Sequence, residues 1–290
     1  MYLNIHIRKK ALISALLSLV IILGIGIFCW HPLSRAMSIP QENSVEIPIL
    51  MYHGILKDKK LQGKYVIGPD LLESDLRYLK EHGYTTIVMQ DLIDYTNGGS
   101  LPEKPIMITF DDGYYNNYLY AFPLMKEYDC KMVFSPIGRY ADQYTQEPDT
   151  RASYAHASWD MINEMIQSGY IEVQNHSYNM HANTGQRNGA KKKKGEDIET
   201  YKKVLTDDVM HAQQVIEEHT GWTPTTFVYP FGAISDVSLE ILKEMGFQAT
   251  LTCAQKTNYI TRDPECLYGL NRFLRPNGIS SEEYFQSILS

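Results

Sequence analysis

The chain is poor in the features that would assign it to several common classes. It has four cysteines in 290 residues. Cys29 lies in an apolar run, and Cys130, Cys253 and Cys266 lack the paired spacing of a zinc knuckle or a disulfide framework. No internal repeat is present, which excludes solenoids and propellers. Positive charge is scarce as well: Lys and Arg total 27 against 34 acidic residues. Arg8, Lys9 and Lys10 are the only charged residues among the first thirty, so the remainder carries about −10, which argues against nucleic acid as a partner.

Long uncharged stretches are also absent, except for residues 11–30, ALISALLSLVIILGIGIFCW. That run is long enough to cross a bilayer as a helix, and the basic residues before it predict a cytoplasmic N-terminus with everything after Trp30 exported. A cleaved signal peptide is the alternative, in which case the protein is secreted. The predicted organisation is a basic N-terminus over 1–10, a transmembrane anchor over 11–30, a proline-punctuated linker over 31–45 and one domain over 46–290.

Within that domain short apolar runs alternate with helical patterns. Strands are predicted at 47–52, 84–88, 105–110, 131–137, 170–174, 225–229, 247–252 and 267–273. Helices are predicted at about 70–82, 116–128, 158–168, 197–219, 235–245 and 280–289. This alternation, with strands apolar along their whole length, predicts an α/β fold built on a parallel sheet covered on both faces, as in a barrel. The lysine-rich stretch 184–197 reads as a mobile surface loop.

Polar residues gather where the predicted strands end, the rim on which a parallel barrel builds its sites. ITFDDGY at 108–114 places two adjacent carboxylates after a buried strand; alone, it reads equally as an Asp-Gly turn capping the next helix. EVQNHSYNMH at 172–181 places two histidines five residues apart, a spacing for a loop folding back rather than for a helix. Two histidines and an aspartate leave coordination positions open for water and substrate. TTFVYPFG at 225–232 is a strand entering a turn.

Taken in this order, the three stretches resemble the polysaccharide deacetylases, the NodB-homology domain of carbohydrate esterase family 4, over about residues 47–275. The resemblance implies an irregular (β/α) barrel, a divalent metal and hydrolysis of acetyl groups on an N-acetylated polysaccharide. It makes Asp111 the general base and Asp112 a metal ligand. The family's H-[ST]-x-x-H motif has Met180 at its last position here and a histidine one residue later. This resembles the subset that includes the biofilm poly-N-acetylglucosamine deacetylases, and His176 and His181 become the other ligands. The metal expected is Zn, with Co, Ni or Fe also accepted by such a set.

Two departures matter. The third motif commonly reads F-R-P-P-Y-G, whereas Val228 stands where its arginine would be. Arg272, at another strand end, is the candidate replacement, with a plain surface arginine as the equal alternative. The family's closing strand usually ends in a histidine that acts as general acid, yet no histidine follows His219. PILMYH at 48–53 has that strand's pattern at the other end of the domain. A barrel is circular, so the arrangement resembles the circularly permuted deacetylases and makes His53 the candidate acid.

A backbone N–H near Phe231 is the implied oxyanion donor. Tyr114, Trp159, Tyr178 and Tyr229 lie near the motifs and are candidate sugar platforms. The function expected is membrane-tethered N-deacetylation of an extracellular polymer, peptidoglycan first and poly-N-acetylglucosamine second. An O-acetyl esterase and a catalytically inactive, tethered glycan-binding protein are the alternatives.

Overall fold

The computed structural model describes residues 44–182 and 187–289, so the predicted anchor at 11–30 and most of the linker lie outside the described residues. Among the described residues no helix is long and apolar enough to cross a membrane.

A ring of parallel strands forms the frame. β1 (Val45–Ile47) lies outside it and β2 (Ile49–Tyr52) begins it, β3 (Gly54–Ile55) and β4 (Val66–Ile67) form a small side pair, and α1 (Pro69–Glu81) follows. Next come β5 (Thr85–Ile87), α2 (Met89–Thr96), β6 (Pro105–Asp112), a π-helical turn at Asn117–Ala121 running into α3 (Phe122–Glu127), β7 (Met132–Pro136), α4 (Gly138–Gln146), α5 (Trp159–Gln167) and β8 (Ile171–Val173). The last part holds α6 (Ile198–Thr220), β9 (Thr226–Val228), α7 (Ser238–Glu244), β10 (Ala249–Leu251), β11 (Asn258–Ile260), β12 (Phe273–Leu274) and α8 (Ser281–Ile288).

The main sheet runs β12-β2-β6-β7-β8, with β5 also paired to β6. A parallel bridge from Asn175 to Phe227 carries it on to β9 and β10, and a second from Leu251 to Leu270 brings it to the segment leading into β12. Because β12 pairs with β2, the ring closes with β2 seated between the last strand and β6. This is the slot that the permuted resemblance requires for the strand before His53.

Period-two alternation sorts the strand residues. Ile106, Ile108 and Phe110 of β6 pack outward with Leu72, Leu76 and Leu79 of α1 and Ile162 and Met165 of α5. Met107 packs inward with Ile49, Val133, Val228 and Leu251, closed off by Met89, Leu92 and Ile93 of α2. The same parity places Asp111 and His53 on the inner face, above that plug.

Several predicted elements change. The strand at 47–52 is split at Pro48, because proline cannot donate to the ladder: β1 pairs antiparallel with β11 while β2 joins the ring. The strand at 267–273 is broken: Pro264–Leu267 forms a 3₁₀ turn, Leu270 makes only a bridge, and pairing resumes at Phe273. α2 and α4 were not predicted. The described part of the lysine-rich stretch is tied down, with Arg187 paired to Glu196, the Lys192 backbone N–H donating to Ser235 Oγ and Tyr201 Oη donating to the Ala190 carbonyl.

Candidate active site

Four strand ends deliver His53, Asp111, Asp112, His176, His181 and Phe231 to one rim, where they border a cleft of about 510 Å³, a size usual for a ligand site. His53 follows β2, Asp111 and Asp112 end β6, His176 and His181 follow β8, and Phe231 follows β9. Arg272 reaches in from the segment before β12.

The backbone is strained at this rim. Asp112, Ser177 and Phe231 have φ of 72°, 69° and 58°, a left-handed conformation that costs non-glycine residues of order 1–3 kcal/mol each. Only Asp129 shares it among the other described non-glycine residues. Gly113 supplies the sharp turn after the carboxylates; a Cβ there would lie 2.8 Å from the Pro136 Cα.

Asp111 is buried and held by a two-pronged guanidinium: Arg272 Nη1 donates to Oδ1 at 2.7 Å and Nη2 to Oδ2 at 2.8 Å. Arg272 is itself positioned, with Nε donating to the Thr252 carbonyl and Nη1 also to Thr109 Oγ1. Burial alone would raise the Asp111 carboxyl, but the guanidinium and the nearby imidazoles outweigh it and hold the group below its usual range. The place left empty by Val228 is thus taken by a residue 161 positions from its partner.

Asp112 Oδ1 lies 3.0 Å from His181 Nε2 and 3.5 Å from His176 Nε2. The six-residue window from His176 to His181 folds back through local bonds: the Ser177 N–H donates to Asn175 Oδ1, the Met180 N–H to Ser177 Oγ, and the Tyr178 and Asn179 N–H groups to the Asp208 carboxylate. Met180 packs into a core cluster with Tyr201 and Phe227, which leaves the next residue to face the cleft.

These three side chains fit a divalent metal. Their ligand atoms lie within 4.8 Å of one another. His176 Nδ1 must donate to the Val228 carbonyl 2.8 Å away, since a carbonyl only accepts. A neutral His176 therefore presents the lone pair of Nε2 towards an acceptor oxygen, and Asp112 Oδ1 is buried with no well-formed hydrogen bond. Lone pairs converging in a buried space call for a cation, and an imidazole fixed through its other nitrogen is the usual form of such a ligand.

His53 lies edge-on to Tyr65, with ring centroids 5.1 Å apart, and its Nδ1 is buried without a partner. Burial lowers its pKa despite the nearby Asp111 and Asp112. Phe231 packs over His181 at 4.3 Å and stays 42% exposed, so it walls the cleft.

Of the proposed sugar platforms only Tyr114 borders the cleft. Trp159 is buried, donating Nε1–H to Asp142 and stacking on His219. Tyr229 is buried among core aromatics, with its hydroxyl on Ser238. Tyr178 bonds Asp142 and stacks on His211, away from the cleft. Their motifs point the backbone at the site while these side chains serve packing. Sequence reasoning passed over Lys64 and Tyr65, which line the opposite wall beside β4, a two-residue strand too short to leave a periodic signal.

The model of the polysaccharide deacetylase family matches residues 98–250, more than half of the chain. The chain belongs to the polysaccharide deacetylase family. A poly-beta-1,6-N-acetyl-D-glucosamine N-deacetylase of Escherichia coli (strain K12) is 25% identical over 262 residues, covering 83% of this family member and 38% of its own length. The chain therefore spans well under half of that relative. One of the same description from Staphylococcus aureus (strain MRSA252) is 23% identical, covering 86% of this chain and 88% of its own. Among solved structures, a de-N-acetylase from Aggregatibacter actinomycetemcomitans superposes with a TM-score of 0.70 at 27% identity, covering 81% of this chain and 97% of that one. The barrel is thus the fold of that deacetylase.

Proposed function

We propose that this chain is a metal-dependent polysaccharide N-deacetylase that releases acetate from a polymer of N-acetylglucosamine. The observation that carries the reading is the two-pronged Arg272–Asp111 pair beside the Asp112, His176 and His181 cluster in one cleft. The names of the relatives move poly-β-1,6-N-acetylglucosamine ahead of peptidoglycan as the preferred polymer.

Asp112, His176 and His181 would hold the metal, with Zn the best match to two imidazoles and a carboxylate. When bound, that ion supplies Lewis acidity to the acetamide carbonyl and to a water molecule. Asp111, kept ionised and oriented by Arg272, accepts the water's proton as the oxygen attacks the carbonyl carbon. The Phe231 backbone N–H is the proposed donor to the oxygen that gains charge, a role typically worth about 3–4 kcal/mol. As the C–N bond breaks, His53 delivers a proton to the departing nitrogen. Its lowered pKa makes its protonated form a stronger acid. Acetate and a free amino sugar are the products.

An inactive glycan-binding protein would be favoured by loss of the arginine that orients Asp111, and Arg272 fills that role here. The O-acetyl esterase alternative requires the same groups but depends less on His53. We also place the domain outside the cell, tethered by residues 11–30, which a protease-shaving experiment on whole cells would test. The deciding experiment is acetate release by residues 41–290 from matched N-acetylated and O-acetylated oligosaccharides with Zn added. Release from the N-acetylated set, lost in Asp111→Asn, is expected; activity on esters alone would overturn the reading.

A further inference from the structure

Resting on the proposed function, a charge census of the cleft carries a further step. Among the residues that line it, the carboxylates are Asp111 and Asp112. Asp111 is already neutralised by Arg272, and Asp112 faces two imidazoles and the site of a cation. The remaining formal charge on the lining is Lys64, an exposed cation. Its Nζ lies 5.0 Å from the Tyr65 ring centre, which in turn lies 5.1 Å from the His53 ring. Two such steps put the ammonium within about 10 Å of the His53 ring, comparable to the screening length at physiological salt.

We infer that the Lys64 wall makes the cleft select against sugar units that carry a free amine. The reaction turns a neutral acetamide into an amine that is protonated at neutral pH. A cleft with no uncompensated carboxylate and a lysine on its wall offers that ammonium no counter-charge. A neutral acetylated unit suffers no such penalty. Lys64 thereby acts as a specificity-determining residue: runs of acetylated units are favoured, units beside an existing glucosamine are disfavoured, and the product is weakly held.

The test compares a fully acetylated N-acetylglucosamine pentamer with one bearing a single glucosamine next to the target unit. The enzyme is wild type, Lys64→Gln or Lys64→Glu at low salt. Exposed charge pairs support an expected kcat/KM preference of about two- to fivefold for the fully acetylated pentamer in wild type. Lys64→Gln should shrink that preference and Lys64→Glu should abolish or reverse it. It should also fade as the pH is raised out of the range in which the sugar amine is protonated.

Calorimetry with a glucosamine pentamer, which cannot turn over, supplies a readout independent of catalysis, and Lys64→Glu should bind it more tightly than wild type. Equal kcat/KM for the two substrates in wild type, or a preference unchanged in Lys64→Glu, would overturn the inference. Failure of the deacetylase reading has a different signature, no acetate from the fully acetylated pentamer. The calorimetric comparison would then decide the charge inference alone.

Discussion

Two buried aspartate–arginine pairs, whose arginines lie three residues apart in the chain, do different things. Asp111 pairs with Arg272 and Asp75 pairs with Arg275, each through two nitrogens at 2.7–2.9 Å, and both guanidinium groups are fully buried. Asp75 also accepts from Tyr52 Oη and Ser281 Oγ, while Tyr284 covers Arg275. With every direction around it occupied, that carboxylate can only hold α1, β2 and α8 together. Asp111 has its guanidinium on one side and the cleft on the other, so it keeps the capacity to accept a proton. The same ion pair is structural when saturated and chemical when one side is left open.

The strands explain how neighbours reach opposite centres. Tyr52 points outward to Asp75 and His53 inward to the cleft. Arg272 and Arg275 are an odd number of residues apart, so an extended backbone sends them to opposite faces.

The sharpest way to break the comparison is to neutralise each aspartate in turn. Asp111→Asn should cut acetate release per folded molecule by about 10²–10⁴-fold, the usual worth of a positioned base, and it should also lower stability because Arg272 is left buried without its anion. Asp75→Asn should cost stability alone. Leaving Arg275 buried without its anion costs about 3–5 kcal/mol in denaturant unfolding, while activity per folded molecule is retained.

Arg272→Lys keeps the charge but loses the fork, and a fall in kcat of about ten- to hundredfold is expected from the lost charged hydrogen bonds. Binding of added Zn, measured by metal analysis, should match wild type, since Asp112, His176 and His181 are untouched. The smallest effect belongs to Tyr229→Phe. Losing the bond to Ser238 should cost about 0.5–1.5 kcal/mol of stability and leave KM unchanged, whereas a rise in KM would restore Tyr229 as a sugar contact.

Much of the site was legible because its residues stand at strand ends, where an apolar run gives way to polar groups within a few positions. Asp111, Asp112, His176 and His53 were found this way, and the structure brings them together. The aromatic platforms were misplaced because proximity in sequence to a motif says nothing about which face a ring occupies. Trp159 and Tyr229 fill core positions, while Tyr65 lies in a loop with no pattern to announce it.

The amino-acid sequence by itself determined the alternation of strands and helices, the place of Asp111 at a strand end and the order of the motifs, since these follow from local periodicity and side-chain type. Only the tertiary structure decided that Arg272 grips Asp111, that Met180 is core while His181 joins Asp112 and His176, and that Lys64 and Tyr65 form a wall. The first of these depends on ring closure between β12 and β2. Closure sets distances between residues far apart in the chain, which no local pattern of hydrophobicity encodes.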